Sequence, residues 1–308
     1  MMSEFSVVIT TYNREADCRR AVNSVLAQST SLIVEIIIVD DGSKDDYDVE
    51  WFTGKGCTYV KTANGGYCAA RNVGFSIATH EWVALLDDDD WWKPDHLNVM
   101  STKIQNAQSD VVMVYSQVTD FFADGSQVDR LFKIQGGDQS DLDFIFENGR
   151  LPSATCYKKS AVTEIPFAGN DRFSEDIWHS GRLLSKGRSI PVHECTVMYN
   201  QTSMGATRGS NLRTYLAAIT AYSGMRCDPD FRSVRDSIFI EKLAWWYYFG
   251  LLHVSSELNW KQWSNAAKGL LRYNSVALHH PFKAMRRTIS NIQLILNTLA
   301  KRLLRTQF

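Results

Sequence analysis

The stretch WVALLDDDDWWKPD, from Trp82 to Asp95, decides the fold. Its apolar run, Trp82-Val83-Ala84-Leu85-Leu86, leads straight into four aspartates, Asp87 to Asp90. A run this short, without alternation, reads as a strand buried on both faces. Pro94 stands where a following helix starts, with Asp95 in its first turn. The carboxylates therefore crowd the carboxyl end of a buried parallel strand, the edge where open α/β sheets bind ligands. A like-charged pair ~4 Å apart costs about 4 kcal/mol at an effective dielectric near 20. Either solvent screens the cluster, as in a plain acidic loop, or a divalent cation neutralises it. Hard carboxylate oxygens suit Mg2+ or Mn2+, ions that bridge to phosphates. The position directly after a strand favours the cation.

The same pattern recurs on both sides. FSVVIT, residues 5–10, reads as a buried strand with Thr11, Tyr12, Asn13 and Arg14 at its end. An amphipathic helix over about 16–28 follows, then VEIIIVD, 34–40, another continuous apolar strand ending in Asp40-Asp41-Gly42-Ser43. CTYVK is a short third strand, 63–66 a turn, and 69–78 a helix leading to the central strand. Beyond it, Pro94–Gln108 reads as a helix, DVVMVYS as a strand, Leu151–Tyr157 as another strand and Ile190–Gln201 as the last sheet segment. Strand–helix alternation argues a mostly parallel, Rossmann-like sheet flanked by helices. Such a sheet gathers the strand ends along one edge, where an aromatic ring, carboxylates and a metal site make a nucleotide pocket. There is no G-x-G-x-x-G after the first strand and no G-x-x-x-x-G-K-[ST] anywhere, which argues against dinucleotide dehydrogenases and P-loop enzymes.

With 308 residues, 44% of them hydrophobic, the chain has ample material for a core. No apolar run approaches the roughly 18 residues of a membrane span, and no export signal is expected at the N-terminus. The six cysteines show no paired spacing and read as reduced cytosolic thiols. The net charge of −1 hides an asymmetry: the last 51 residues, 258–308, hold nine Lys and Arg and no acid, so residues 1–257 carry −10. The two parts face different partners.

Five motifs then resemble one family. VVITTYNR (7–14), IIIVDDGS (36–43), NGGYCAARNVG (64–74), ALLDDDDWWKPDHL (84–97) and SED (174–176), in this order and spacing, are similar to inverting family-2 glycosyltransferases of the GT-A fold. The resemblance spans about the first 180 residues. It implies an enzyme, a metal-dependent glycosyltransferase of hexosyltransferase type, with Mn2+ or Mg2+ as cofactor. A nucleotide-sugar donor, a UDP-sugar by preference, would sit over the strand ends. Residue by residue, it implies that Thr10, Thr11, Tyr12 and Asn13 hold nucleobase and ribose, and that Asp41, with its neighbour Asp40, accepts from the base. Arg71 stands near base and phosphates. Asp87 and Asp89 form the D-x-D metal motif, with Asp88 or Asp90 reaching ribose or donor sugar. By the same resemblance Asp176 would be the catalytic base, with Glu175 in support. The family's histidine after a tyrosine has no counterpart, because Asn200, Gln201 and Thr202 follow Tyr199. The Q-x-x-R-W of processive synthases is also missing.

The residues alone leave plainer readings open. Tyr12 can be a packing aromatic, Arg71 a partner of any surface carboxylate, and Asp40 to Ser43 a simple turn. Glu175 and Asp176 open an amphipathic segment, 172–187, where two acids also suit the helix dipole. Residues 1–205 are expected to form the catalytic domain, with a nucleotide-sugar half to about 115 and an acceptor half beyond. Residues 206–308 are expected to form a helical, basic extension, with helices over 212–225, 234–252, 260–271 and 282–304. In the last, Met285, Ile289, Ile292, Leu296, Leu299 and Leu303 recur at steps of four and three with basic flanks. That stripe suits an anionic membrane surface, a coiled-coil homodimer or packing on the chain itself; nothing supports nucleic acid. The full expectation is a cytoplasmic enzyme, peripheral at the inner face of the plasma membrane. Its acceptor would be a glycan or lipid-linked hydroxyl in surface polysaccharide, capsule or lipopolysaccharide assembly. The rivals are a sugar nucleotidyltransferase and a non-catalytic nucleotide-sugar-binding or scaffold protein.

Overall fold

The computed structural model describes residues 4–32, 34–132, 140–148, 151–168, 175–202, 212–234, 236–253 and 257–274, with 294, 295 and 298. The chain opens with strand β1 (Phe5–Thr11), helix α1 (Glu15–Leu26), β2 (Val34–Asp40), α2 (Val49–Gly54), β3 (Thr58–Lys61), α3 (Tyr67–Ile77) and β4 (Trp82–Asp87). Then come β5 (Trp91–Trp92), α4 (His96–Gln105), β6 (Val111–Phe121), β7 (Gln127–Arg130), α5 (Asp141–Asn148), β8 (Thr155–Lys158), α6 (Lys159–Glu164), α7 (Glu175–Leu184) and β9 (Arg188–Asn200). Helices α8 (Leu212–Cys227), α9 (Asp236–His253) and α10 (Trp260–Asn274) end the described chain. These residues fall into two compact units: the sheet with α1–α7, and α8–α10.

The architecture is α/β, with one mixed sheet flanked by helices. Strand order is β3-β2-β1-β4-β8-β6-β9-β5, and β7 pairs β6 off this path. The half running β3-β2-β1-β4 is parallel throughout. Its inner strands β1, β2 and β4 are the continuous apolar runs, because helices cover both faces and leave no side to be polar. Every residue of β1 is buried. Phe5, Val7 and Ile9 join Cys18, Ala21, Val22 and Val25 of α1 in the main core. On the other face α3 comes so close that a Cβ on Gly74 would lie 2.3 Å from Val8 Cγ1. Glycine is therefore required there for helix and strand to touch. The register sets Thr10 beside Asp87 and Thr11 beside Asp40, so the ends of β2, β1 and β4 align on one edge.

Several expected boundaries move. Trp91 and Trp92 form β5, paired to β9, because the Trp92 ring is buried and its Nε1–H donates to the Ser153 carbonyl at 2.7 Å. Helix α4 consequently starts at His96, not Pro94, and stops at Gln105. Leu151–Ala154 are not strand: Pro152, which lacks an N–H, opens a 3-10 turn, and extended pairing begins at Thr155. The strand expected at 110–116 continues to Phe121 and folds back through an Asp124–Gly125 turn into β7, forming an unexpected hairpin. Helices α2 and α6 were also not expected from the sequence.

In the second unit α9 packs on both α8 and α10. It is apolar nearly all round, burying Phe239, Leu243 and Trp246 while exposing Trp245 and Tyr248. Among the described residues no helix is long and apolar enough to cross a membrane. The helix expected over 282–304 lies outside the described residues, apart from 294, 295 and 298.

Candidate active site

Three loops meet at the aligned strand ends. After β1, Asn13 takes a positive φ of 54°, which asparagine tolerates better than most residues. Its N–H donates to Ser43 Oγ at 2.8 Å, and its Oδ1 accepts from the Lys44 N–H at 2.7 Å. The Tyr47 hydroxyl accepts from the Arg14 N–H at 2.6 Å and shares a bond with Thr11 Oγ1 at 2.9 Å. Thr10 and Thr11 are buried, whereas Tyr12 is 38% exposed. After β2, Asp40 is wholly buried and both its oxygens are engaged. Oδ1 accepts from the Ser43 N–H and Oδ2 from the Tyr59 hydroxyl, each at 2.8 Å. Asp41 Oδ1 accepts from the Gly65 N–H at 2.8 Å and so ties the third loop to the second. Gly42, at φ 74°, sits where a Cβ would lie 2.7 Å from the Asn64 nitrogen.

The acid run is held by basic and hydroxyl partners. Arg71, buried on α3, donates from Nη2 to Asp87 Oδ1 at 2.9 Å. Arg14 spans two carboxylates, reaching Asp88 at 2.6 Å and Asp89 Oδ2 at 2.9 Å. Arg20 donates to the Asp89 carbonyl at 3.0 Å. Asp90 accepts from Ser153 Oγ at 2.6 Å and from the Asn200 N–H at 3.0 Å, and the same Ser153 oxygen accepts from the Asp87 N–H at 3.1 Å. Burial pushes Asp88 up to about 7, with Arg14 pulling it back and Asp89 adding to the rise. Burial also lifts Asp90 well above the usual carboxylate range, with Asp89 and Asp87 adding. For Arg14, burial acts downward, but Asp88 and Asp89 outweigh it and raise the guanidinium.

These contacts bring Thr10, Thr11, Asp40, Asp41, Arg71 and Asp87 to Asp90 to one edge. They also add Arg14, Arg20, Tyr47, Ser153 and Asn200, which the sequence reading did not assign. Arg14 had a signal, since it closes the VVITTYNR motif; Ser153 and Asn200 had none. Asp176 lies near the start of α7, half-buried, with Oδ1 accepting from the Ile177 N–H at 2.8 Å. Glu175 begins that helix.

Among the described residues no group of three or more His, Cys, Asp or Glu is arranged to hold a metal. Two carboxylates nevertheless keep solvent access: the Asp87 side chain is 29% exposed and that of Asp89 12%. Two hard oxygen ligands fit an ion whose remaining positions are filled by phosphate and water, the usual arrangement for Mg2+.

Residues 6–163, half of the chain, match the sequence model of glycosyl transferase family 2. The chain belongs to this family. An uncharacterized glycosyltransferase of Nostoc sp. is 44% identical over 116 residues, 36% of this chain and 35% of that protein. The match thus spans about a third of that relative's length. Glycosyltransferase GlyG of Streptococcus pneumoniae is 27% identical over 233 residues, 69% of this chain and 74% of GlyG. The putative colanic acid biosynthesis glycosyl transferase WcaA of Escherichia coli is 32% identical over 125 residues, 39% of this chain and 43% of WcaA. Among solved structures, S. aureus TarS 1-349 in complex with UDP superposes with a TM-score of 0.65 at 19% identity, covering 97% of this chain and 91% of that 1-349 chain. A mannosyltransferase of Pyrobaculum calidifontis, in complex with GDP-Man and Mn2+, gives 0.58 at 16% identity, covering 98% of this chain and 88% of that one. This family-2 chain therefore shares its fold with both.

Proposed function

We infer that the protein transfers a sugar, with inversion, from a nucleotide-diphosphate sugar to an acceptor hydroxyl. The observation that carries this reading is the alignment of Asp41, Arg71 and the Asp87–Asp90 run on the carboxyl edge of a parallel sheet. In this reading the exposed Tyr12 stacks on the base and Asp41 accepts from it, with Thr10, Thr11 and Asn13 shaping the ribose pocket. Asp40 acts indirectly, because its oxygens hold the loop. Buried Asp88 and Asp90 likewise set the geometry of the acid run. Asp87 and Asp89 are the residues that would hold Mn2+ or Mg2+, which when bound offsets charge on the departing diphosphate. Asp176 takes the proton of the acceptor hydroxyl as that oxygen attacks the anomeric carbon and the bond to the diphosphate breaks. UDP bound to a protein of the same fold, and GDP-Man with Mn2+ in another, make nucleotide diphosphates the first ligands to try.

The acceptor is read as a glycan or lipid-linked hydroxyl in surface-polysaccharide assembly. Trp245 and Trp260 are each about half exposed in the helical unit, and residues 258–308 hold no acid. Amphipathic rings with basic charge suit the headgroup layer of an anionic membrane.

The test is calorimetric titration of UDP, GDP, dTDP and CMP, with and without Mn2+, on the wild type and Asp89→Ala. One diphosphate should bind, more tightly with Mn2+, and the mutant should lose the Mn2+ effect. No binding by any nucleotide would return the protein to the scaffold reading.

A further inference from the structure

Consecutive residues of α3 point to two different parts of the molecule. Arg71 is paired with Asp87 at the end of β4. Asn72 reaches 95 residues along the chain to Phe167 and pairs with both sides of its backbone. Its Nδ2–H donates to the Phe167 carbonyl at 2.9 Å, and its Oδ1 accepts from the Phe167 N–H at 2.9 Å. A side-chain amide that closes both bonds fixes the position and rotation of the residue it holds. The Phe167 ring is 3% exposed. The Arg71 guanidinium carbon lies 5.3 Å from that ring's centroid, and His179 stacks on the ring at 3.7 Å and 19°. His179 also bonds through Nε2 to the Ile165 carbonyl at 2.8 Å. It stands three residues after Asp176 on α7, which places both near one face of the helix.

We propose that Asn72, Phe167 and His179 are positioning residues for the transfer reaction: they lock the helix bearing Asp176 against the same α3 that holds Asp87 through Arg71. The inference rests on the reading of Asp176 as the base. The chemistry makes such a device useful. A base on one side of a substrate and a cation site on the other must keep a fixed separation, and a misplacement of about 1 Å can cost about 100-fold in rate. Asp87 and Asp176 lie on separate elements, 16 and 105 residues after Arg71 in the chain. A rigid ring clamped by one helix and stacked by the other supplies the spacing without touching substrate. Neither Asn72 nor His179 is among the residues read as nucleotide-binding, so replacing either should leave the hold on the nucleotide unchanged.

The test compares His179→Ala with His179→Phe, which keeps a ring on Phe167, and adds Asn72→Ala in case the first variant folds poorly. For each, nucleotide affinity is measured with the diphosphate that binds in the titration above, and turnover as hydrolysis of the corresponding nucleotide sugar, with water taking the place of the acceptor hydroxyl. The expected result is a 10- to 100-fold fall in kcat for His179→Ala and Asn72→Ala, nucleotide Kd within about 3-fold of wild type, and recovery to within about 3-fold in His179→Phe. Equal losses in Kd and kcat, an unchanged kcat, or a His179→Phe as impaired as His179→Ala would overturn the proposal. Asp176→Asn separates this from failure of the underlying reading. If Asp176→Asn abolishes turnover while the ring variants do not affect it, the positioning inference alone falls. If Asp176→Asn retains full turnover, the base assignment falls and the inference falls with it.

Discussion

Asp90 shows how a carboxylate is kept in a place that solvent does not reach. It is 1% exposed, beside three other acids, and burial works against its charge. Ser153 meets this with one hydroxyl: its proton goes to Asp90 and its lone pair takes the Asp87 N–H. One atom thus fixes the two ends of the acid run. Ser153→Ala leaves a buried oxygen and a buried N–H short of partners, at a cost of about 1–3 kcal/mol in unfolding free energy. Urea denaturation should show that loss with an unchanged m-value; a change under about 0.5 kcal/mol would mean the run is held by Asn200 and the arginines instead. The acids themselves were legible in the sequence because four like charges cannot be overlooked. Their neutralising partners were not, since Ser153 and Asn200 arrive from β8's leading turn and β9, tens of residues away. Arg14 was adjacent to a motif, yet nothing local says that its guanidinium spans Asp88 and Asp89.

At the scale of elements, legibility followed burial. Strands β1, β2 and β4 are buried on both faces and announce themselves as unbroken apolar runs. Strand β7, QVDR, is exposed along its whole length, so it carries no pattern to read, and two-residue β5 is too short to have one. The seat of α4 has a pH-sensitive joint of the same hidden kind. His96 is fully buried, stacks on Trp92 at 4.2 Å and shares a 2.7 Å bond between Nδ1 and Thr196 Oγ1. Thr196 spends its own proton on Ser116, so His96 carries its proton on Nδ1 and its buried Nε2 has no hydrogen-bond partner among the described residues. Burial accordingly lowers the pKa of His96 from 6.5 to about 3. The unfolded chain takes up this proton below about 6.5 and the folded chain does not, so stability is complete above that pH and lost as pH falls towards 3. By pH 5 the loss is about 2 kcal/mol. His96→Asn keeps a donor for Thr196 and removes the titration. Denaturant melts at pH 7 and pH 5 should differ by about 2 kcal/mol less in this variant than in the wild type. Identical pH dependence would show that His96 is protonated, or released, in the folded state.

For the whole molecule, the question is what the second unit adds to the candidate site, whose aligned strand ends belong to the first unit. The parallel half-sheet, the acid run and α7 all belong to the first unit. The helices α8–α10 contribute none of the residues read as donor-binding, yet they carry exposed rings: Trp245 and Tyr248, three residues apart on α9, and Trp260 at the start of α10. A ring half in solvent costs apolar exposure unless something covers it. Trp260 is followed on α10 by Lys261 and Lys268, both exposed, within a stretch that holds no acid to its last residue. Rings with a polar edge and unopposed positive charge fit the interface of an anionic bilayer, where each basic residue near the surface contributes about 1 kcal/mol. The full-length protein should therefore co-sediment with vesicles containing phosphatidylserine or cardiolipin and not with neutral phosphatidylcholine vesicles. Binding should weaken in 0.5 M salt, since the Debye length then falls to roughly 4 Å. Trp245→Ser with Trp260→Ser should reduce vesicle binding at least 10-fold and leave nucleotide affinity unchanged, because these tryptophans and the residues read as donor-binding belong to separate units. Salt-insensitive binding, equal binding to neutral vesicles, or a concentration-dependent dimer that buries these tryptophans in the absence of lipid would assign the surface to self-association instead.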